Sequence, residues 1–230
     1  MRQTLTTTLI SLFGVLLLLP LGAGGQTAPS GADAHQLHRD PAAYIAALED
    51  PARDAWQKPQ DVLDALALRE GERVADIGAG SGYFALRFAP QVGATGRVFA
   101  VDVSKDMLAH LEVQAKAAQL TNVQPLLAAA ADPGLPDASV DRVFFCDVWH
   151  HIEDQAGYLE KLKRALRADG QIVMIDFHKR DLPVGPPVSM KIAREDLVAQ
   201  MERHGFHLVR EHTFLPYQYF LVFTRQPSGA

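Results

Sequence analysis

Two aspartates and three alternating glycines have the types and spacing needed to bind a charged small molecule. The stretch DIGAGSGYF places Gly78, Gly80 and Gly82 directly after a short apolar run that ends at Asp76. Glycine permits positive φ angles and lets a ligand approach the backbone closely. Asp76 would repel a pyrophosphate, but it can accept hydrogen bonds from an ammonium group. We therefore expect a ligand to rest on residues 78–82, with its cationic group beside Asp76.

A second carboxylate follows the next apolar run. Asp102 ends VFAVD, where a carboxylate in a nucleotide-binding fold accepts hydrogen bonds from both ribose hydroxyls. Such a charge-assisted pair contributes on the order of 3 kcal/mol at most. A dinucleotide would need a G-x-G-x-x-G loop, whereas the glycines here alternate and Tyr83 stands where close packing requires a small residue. These departures argue against a dinucleotide. An NAD(P)-dependent oxidoreductase, which would bind one at such a loop, is kept as the alternative function.

The elements that must position these residues alternate along the chain. Strands are predicted at 73–77, 97–101, 123–127, 140–146 and 171–175, and helices at 83–92, 104–118, 154–167 and 194–204. This alternation is typical of βαβ units with right-handed crossovers in a parallel sheet. The runs FHLVREHTFLP and YQYFLVFTR then follow too closely for a parallel return, so they predict an antiparallel C-terminal hairpin.

Four motifs together carry a family resemblance. In chain order, DIGAGSGYF, VFAVDVSKDML, SVDRVFFCDVWHHIED and ALRADGQIVMIDF resemble the class I S-adenosylmethionine-dependent methyltransferases, especially the small-molecule enzymes with domains of type 11 or 25. The resemblance covers about residues 59–225. It implies an α/β fold with a Rossmann-like, doubly wound, seven-stranded sheet whose only antiparallel strand lies between the fifth and sixth. It also implies S-adenosylmethionine as the methyl donor.

The resemblance implies cofactor-binding roles for Asp76, Gly78, Gly80, Gly82, Asp102, Val103, Met107, Ala130 and Asp147. Asp76 and the glycines would face the methionine half, Asp102 the ribose, and Val103 and Met107 the adenine. Relatives commonly place an acid after the third strand to bind the adenine amino group. Here Ala129 or Ala130 stands at that position, and Asp132 is the nearest acid. The departure favours a backbone contact to the adenine, and it also supports a second alternative, a non-catalytic S-adenosylmethionine-binding module.

The catalytic candidates are His150, His151, Asp176 and His178, which follow the fourth and fifth strands. Ligands of open parallel sheets bind beyond the carboxyl ends of the strands. Orientation of an acceptor can contribute about 7 to 11 kcal/mol, so a base is needed only if the acceptor must lose a proton. His151 and Asp147 have structural alternatives as a helix cap or pocket wall.

Aromatic side chains elsewhere have two interpretations. Trp149, Tyr217 and Tyr219 are expected either in the core or around an acceptor. Trp56 and Gln57 are expected either in a lid over the cofactor or at an ordinary helix start.

Composition and the first residues indicate where the protein works. The chain has 230 residues, 48% of them apolar, and a formal charge of -5, which argues against a nucleic-acid partner held by phosphate contacts. A small-molecule substrate is expected instead. Arg2, the apolar run 9–21 and the small residues Ala23 and Gly25 are typical of a secretory signal peptide, or of an uncleaved membrane anchor. The sequence thus predicts export, with the periplasm as the compartment.

The predicted organisation is a signal at 1–25, a flexible linker at 26–40 and a methyltransferase domain at 41–230 whose segment 41–69 is helical. Cys146 is the single cysteine, so no intrachain disulfide can form, and we expect a buried, inert thiol. His35 and His38 lack further ligands at a recognisable spacing, so no metal site is predicted.

Overall fold

The computed structural model describes residues 40–226. The predicted signal or anchor and nearly all of the predicted linker, with His35 and His38, lie outside the described residues. The helices are α1 (Pro41–Leu48), α2 (Asp54–Gln57), α3 (Pro59–Leu66), α4 (Ala85–Val92), α5 (Lys105–Ala117), α6 (Gln155–Ala165) and α7 (Arg194–Arg203). Short 3-10 turns cover Pro51–Arg53, Trp149–His151 and Val188–Met190. Within residues 40–226, no helix combines the length and the apolarity that crossing a bilayer requires.

Seven strands form one sheet. They are β1 (Arg73–Ile77), β2 (Arg97–Asp102), β3 (Val123–Leu127), β4 (Val140–Cys146), β5 (Leu166–Phe177), β6 (Phe206–His212) and β7 (Gln218–Arg225). Their order across the sheet is β3-β2-β1-β4-β5-β7-β6. The first five strands pair in parallel, whereas β7 pairs antiparallel with both β5 and β6. The predicted fold class and the predicted C-terminal hairpin are confirmed.

The strand order reverses between β1 and β4, which are hydrogen-bonded neighbours although far apart in sequence. Such a reversal opens a crevice beyond the carboxyl ends of the strands, because the helices that follow the two strands cover opposite faces. Asp76 lies near the end of β1, Asp102 ends β2 and Asp147 follows β4. The topology therefore brings these three aspartates to one edge of the sheet.

Apolar side chains on both faces of the sheet hold this edge in place. On one face, Val74 and Phe144 pack with Phe84 and Phe88 of the segment after the glycine loop, and all four are buried. On the other face, Phe145 packs with Trp149 and Tyr158. Burial of each such side chain contributes about 1.5–3 kcal/mol, so the loops above the sheet rest on a well-packed base.

Most boundaries that differ from the sequence-based expectation do so by one or two residues, and two of the differences have a clear structural cause. The helix predicted from residue 83 begins at Ala85, because the residues before it form a turn in which the Gly82 N–H donates to the Ala79 carbonyl. The helix predicted to reach residue 167 ends at Ala165, and Leu166 already pairs with Val140 as the start of β5. Tertiary pairing outweighs helix propensity at that second boundary.

The segment before β1 is helical and lies against the glycine loop. Asp40 caps α1 by accepting hydrogen bonds from the backbone N–H groups of Ala42 and Ala43. Lys58 adopts a left-handed φ of 47° between α2 and α3, and Pro59 opens α3. This break turns the chain, so that residues 41–57 reach the carboxyl edge of the sheet while α3 packs on its face.

Candidate functional site

A cavity of about 690 Å³ lies at the carboxyl edge of the sheet. Its walls come from the ends of β1, β2 and β4, from the loop after β3, from the end of β5 and the segment that follows it, and from residues 41–56. Several predicted residues line it: Asp76, Gly78, Gly80, Asp102, Val103, Met107, Ala130, Asp147, His150 and His151. The cavity is within the range of about 300–1,000 Å³ that is usual for small-molecule sites.

Asp76 is the buried carboxylate of this cavity, with 3% of its surface exposed. Its Oδ2 has no hydrogen-bond partner among the described residues, although Asp76 lines the cavity. Burial raises the pKa of Asp76 to about 8, against the opposing effect of a hydrogen bond from the Ala85 backbone, and the charge of Asp102 raises it further. A buried carboxyl group with a vacant acceptor is suited to a cation that enters the cavity.

Asp102 is held by two backbone groups. Its Oδ2 accepts a hydrogen bond from the Gly80 N–H at 2.8 Å, and its Oδ1 accepts one from the Ser104 N–H at 2.8 Å. A carboxylate offers about four acceptor positions, so two remain for a ligand. The arrangement is suited to a pair of hydroxyl groups, as we expected for a ribose.

The three loop glycines serve different purposes. Gly78 has a φ of +70°, and a Cβ there would lie 2.4 Å from the Val148 side chain. Gly80 has a φ of +54°, and a Cβ would lie 3.1 Å from Leu48 of α1. Both glycines line the cavity, so close approach to a ligand and to neighbouring chain requires them.

Gly82 lies behind the loop and does not line the cavity, so its cofactor contact stays a prediction. Its φ is +97°, and a Cβ would lie 3.0 Å from the side chains of Leu86 and Leu111. Gly82 thus permits the turn and the packing of α5 beneath it.

Asp147 belongs to a buried polar chain that leads away from the cavity. Its backbone is left-handed with a φ of 60°. Its two carboxylate oxygens accept hydrogen bonds from Gln218 Nε2 at 2.7 and 2.9 Å, and the Gln218 amide oxygen accepts one from Gln57 Nε2 at 2.9 Å. Burial and the neighbouring charge of Asp176 raise the pKa of Asp147 to about 6. The network joins β7, the end of β4 and α2.

Gln57, in that hydrogen-bonded network, was expected with Trp56 either in a lid over the cofactor or at an ordinary helix start. Gln57 is fully buried and holds Gln218, so it lies beneath the cavity and not over it. Trp56 does line the cavity, and its ring lies 5.8 Å from the ring of Phe177, centroid to centroid.

His150 and Asp176 form a buried pair. His150 Nδ1 lies 3.0 Å from Asp176 Oδ2, and the two side chains are only 3% and 2% exposed. Burial tends to lower the pKa of His150, but the hydrogen bond to Asp176 and the charges of Asp176 and Asp147 outweigh it, so the pKa is raised overall. Asp176 holds Nδ1 as the donor, which leaves Nε2 of His150 as the proton acceptor.

The other two catalytic candidates have different surroundings. His151 lines the cavity and its ring lies 4.2 Å from that of His150, centroid to centroid. His178 lies outside the cavity wall, where its backbone N–H donates to the Tyr217 carbonyl and its ring packs against Tyr219. Asp176 is likewise outside the wall, and its carboxylate contacts two cavity residues, the ring of His150 and the backbone N–H of Phe177. Geometry therefore favours His150 for proton transfer, with Asp176 as its positioning residue.

None of the remaining aromatic and acidic candidates lines the cavity. Trp149 and Tyr219 are core residues with 1% exposure each, and Tyr217 packs on Trp56. Asp132 forms an ion pair with Lys161 at 3.2 Å and does not line the cavity, whereas Ala129 and Ala130 do. At the expected adenine position the chain therefore offers backbone groups and small side chains.

Residues from the N-terminal segment were missed by the sequence interpretation. Tyr44, Leu48 and Arg53 line the cavity. No local motif marks them, because they reach the site through the fold of residues 41–57 across the sheet edge. The Cys146 thiol also lines the cavity, and burial together with the charge of Asp147 raises its pKa well above the usual value, so it stays protonated.

Comparison with known proteins identifies the domain. Residues 75–174 match a family model described as a methyltransferase domain. A demethylmenaquinone methyltransferase of Listeria welshimeri is 27% identical over 128 residues, which are 56% of this chain and 53% of that protein. An uncharacterised methyltransferase of Bacillus subtilis, YcgJ, is 31% identical over 116 residues, 50% of this chain and 45% of that protein. The chain thus spans about half the length of these curated relatives.

A solved structure extends the likeness to the whole fold. The S-adenosylmethionine-dependent methyltransferase from Aquifex aeolicus superposes with a TM-score of 0.76 at 28% identity. The superposition covers 81% of this chain and 98% of that one.

Proposed function

Because this chain belongs to the class I S-adenosylmethionine-dependent methyltransferase family, we propose that it transfers a methyl group from S-adenosylmethionine to a small molecule. The observation that carries the proposal is a single cavity in which Asp76 and Asp102, at neighbouring strand ends, flank the glycine loop. Relatives named demethylmenaquinone methyltransferases support a small-molecule acceptor.

The residues of the cavity fit the cofactor. The ammonium group of S-adenosylmethionine would supply the hydrogen-bond partner that the buried Oδ2 of Asp76 lacks among the described residues. Asp102 retains acceptor positions for the ribose hydroxyls, and Val103, Met107 and the backbone near Ala130 provide an apolar place for the adenine. When bound, the cofactor supplies a methyl group on a positively charged sulfur, which leaves as a neutral thioether.

The His150–Asp176 pair favours an acceptor whose nucleophilic atom must lose a proton. Asp176 fixes the ring of His150 and stabilises its protonated form, so Nε2 can accept a proton as the acceptor gains the methyl group. A phenolic or enolic hydroxyl, or the carbon acid conjugated to it, has this requirement. An amine that is already neutral does not need such a base.

The outer wall of the cavity favours an apolar, flat acceptor. Trp56, Phe177, Val184, Pro186 and Met190 line it, and the described lining residues include no Lys and only one Arg. The aromatic rings of Trp56 and Phe177 can contact an aromatic ligand in the offset-stacked or edge-to-face arrangements that aromatic pairs prefer. A flat aromatic acceptor would therefore fit this wall. The proposed acceptor is thus a phenol- or quinol-like compound.

Two experiments test the proposed function. Isothermal titration should detect S-adenosylmethionine binding, and titration with NADH, followed by fluorescence, should show none. Labelled S-adenosylmethionine is then offered with hydroquinones, catechols and primary amines, and we expect label in the hydroxylated aromatic compounds. Absence of cofactor binding would refute the proposal. Binding without transfer to any compound or to an envelope extract would favour the non-catalytic module.

The base is tested by substitution. His150→Gln should reduce methyl transfer to a phenolic acceptor by about 10²–10⁴-fold while leaving cofactor affinity within about threefold. Asp176→Asn should retain more activity and shift the pH profile downward, because the neutral amide no longer stabilises protonated His150. Equal activity of His150→Gln and wild type would exclude His150 as the base.

Export is a separate proposal. Arg2, the apolar run 9–21 and the small residues near Gln26 support a signal peptide or anchor ahead of the domain. S-adenosylmethionine is made in the cytoplasm and is charged, so an exported enzyme would need a supply of donor outside it. Cell fractionation and N-terminal sequencing test the compartment: a mature protein that begins near Gln26 in the periplasm supports export, and a cytoplasmic full-length chain refutes it.

A further inference from the structure

The charges around the cavity are strongly unequal. Four aspartates line it, namely Asp76, Asp102, Asp106 and Asp147. Among the described residues of the lining, Arg53 is the single Lys or Arg side chain. S-adenosylmethionine carries two positive groups, its ammonium and its sulfonium, and one negative group, its carboxylate. The aspartates suit the positive groups, so the carboxylate has a single obvious counterpart.

Arg53 is anchored but not saturated. Its Nη1 donates to the Leu48 carbonyl at 3.4 Å, and its Nη2 donates to Gln57 Oε1 at 3.2 Å and to Cys146 Sγ at 4.0 Å, all of them long hydrogen bonds. One Nη1 hydrogen is left without a partner among these contacts. Its Nε has no partner among the described residues. No carboxylate forms an ion pair with Arg53 in the described part of the chain, although several lie near. A half-buried guanidinium with spare donors and no paired anion is suited to a carboxylate ligand.

The ring of Tyr83 holds the guanidinium in place. The Arg53 Cζ lies 4.0 Å from the centroid of the Tyr83 ring, which fixes the plane of the guanidinium above the segment after the glycine loop. Arg87 contacts the same ring, with its Cζ 4.2 Å from the centroid, but does not line the cavity. Two arginines thus share one aromatic partner, and only one of them faces the ligand space.

We propose that Arg53 binds the carboxylate of the cofactor's methionine end, so that the N-terminal segment 41–57 forms part of the cofactor site. The inference rests on the proposed function. It assigns opposite ends of the amino-acid group to different elements, with Asp76 of β1 on the ammonium side and Arg53 of the N-terminal segment on the carboxylate side. A merely structural Arg53 would instead balance the charges of Asp147 and its neighbours.

A ligand that differs only in the carboxylate separates these two roles. Decarboxylated S-adenosylmethionine keeps the ammonium, the sulfonium, the ribose and the adenine. Dissociation constants for S-adenosylmethionine and for the decarboxylated compound are measured by isothermal titration for wild type, Arg53→Met, Arg53→Lys and the matched control Arg87→Met. Thermal unfolding without ligand is recorded for each variant.

Arg53→Met should weaken S-adenosylmethionine binding by roughly tenfold or more and decarboxylated S-adenosylmethionine by less than about threefold. Arg53→Lys, which keeps the charge, should recover part of the affinity, and Arg87→Met should change neither ligand by more than about threefold. Equal weakening of both ligands in Arg53→Met or in Arg53→Lys, or no weakening in a folded Arg53→Met variant, would overturn the assignment. Wild type that binds neither ligand would refute the proposed function, and the assignment with it.

Discussion

The carboxylate of Asp102 accepts a hydrogen bond from the backbone N–H of Gly80 at 2.8 Å, across the boundary between β2 and the loop that follows β1. The same side chain accepts a second hydrogen bond from the N–H of Ser104, just before α5. Asp102 therefore shapes the glycine loop before any ligand arrives. A residue expected only as a ribose ligand also organises the backbone on which the cofactor would rest.

Asp102→Ala should raise the dissociation constant for S-adenosylmethionine by more than about tenfold. It should also lower the free energy of unfolding by about 1–2 kcal/mol, because two backbone donors lose their acceptor. Titration calorimetry and urea denaturation measure the two effects. Asp106→Ala removes another carboxylate from the cavity wall without releasing the loop, so a similar loss in this control would contradict the special role of Asp102.

The pH dependence of cofactor binding should depend on Asp76. The pKa of Asp76 in the free protein is about 8, and an ammonium partner favours the ionised form, so binding at pH 7 should release a proton. The α-amino group of the ligand titrates at about 7.7–8.0, so affinity should peak near pH 8 and fall about tenfold for each unit below about pH 7.

Titrations in two buffers of different ionisation enthalpy measure this proton release directly. Asp76→Asn should bind weakly and release no proton at pH 7. A wild-type affinity that stays constant from pH 6 to pH 8 would contradict the assignment of Asp76 as the ammonium partner.

Gly82→Ala should lower the free energy of unfolding substantially while weakening cofactor binding little. The added Cβ would lie 3.0 Å from Leu86 and Leu111 at a φ of +97°, so we expect a loss of about 2–4 kcal/mol in the free energy of unfolding. Gly134→Ala is the matched control, since its φ is also positive, at +66°, but the nearest atom is 3.9 Å away. That variant should lose only about 1–2 kcal/mol.

Gly78→Ala, in the same loop, should affect cofactor binding more than stability. Its Cβ would lie 2.4 Å from Val148, a cavity residue, so cofactor binding should be lost even where the protein still folds. Urea denaturation and titration calorimetry on the three variants separate packing from binding. Equal effects of Gly78→Ala and Gly82→Ala on affinity would show that both glycines contact the ligand.

Gln218→Leu should destabilise the protein in a pH-dependent way. Gln218 stabilises the ionised form of Asp147, whose pKa in the folded state is about 6. Its contribution is therefore present above about pH 6 and is lost as the pH falls and Asp147 becomes protonated. We expect a loss of about 2–4 kcal/mol at pH 8 and a smaller loss at pH 5, measured by urea denaturation.

A polar residue on an outer strand provides the control for that experiment. Gln124→Leu on β3 removes a half-buried glutamine whose side chain accepts a hydrogen bond from Arg97. Its effect should be within about 0.5 kcal/mol at either pH. A pH-independent loss in Gln218→Leu would contradict the role of Gln218 as a donor to ionised Asp147.

Local patterns predicted the elements and the strand-end aspartates. Apolar runs of five to seven residues followed by helical spacing suffice for β1, β2 and β4, since burial of both sheet faces imposes nearly continuous apolar strands. Asp76 and Asp102 reach one cavity because the carboxyl ends of parallel neighbouring strands share an edge. That consequence of topology can be derived from the order of elements alone.

The positions of several site residues depend on long-range contacts that the sequence pattern does not reveal. Gly82 belongs to the same motif as Gly78 and Gly80, yet the packing of α5 against the loop, and not the motif, determines that it lies behind the wall. Arg53 carries no recognisable signal, and it becomes a cavity residue only because residues 41–57 fold back over the sheet edge. His150 and Asp176 are 26 positions apart, and only the pairing of β4 with β5 brings them within 3.0 Å.

The sequence by itself thus determined the fold class and the two carboxylates beside a glycine loop, because both follow from periodicity and from the ends of strands. Tertiary structure alone decided which charges face the ligand, which glycine serves packing, and which histidine has a buried acid behind it. The physical reason is that burial and pairing across the sheet depend on residues far apart in the chain, whereas periodicity depends only on neighbours.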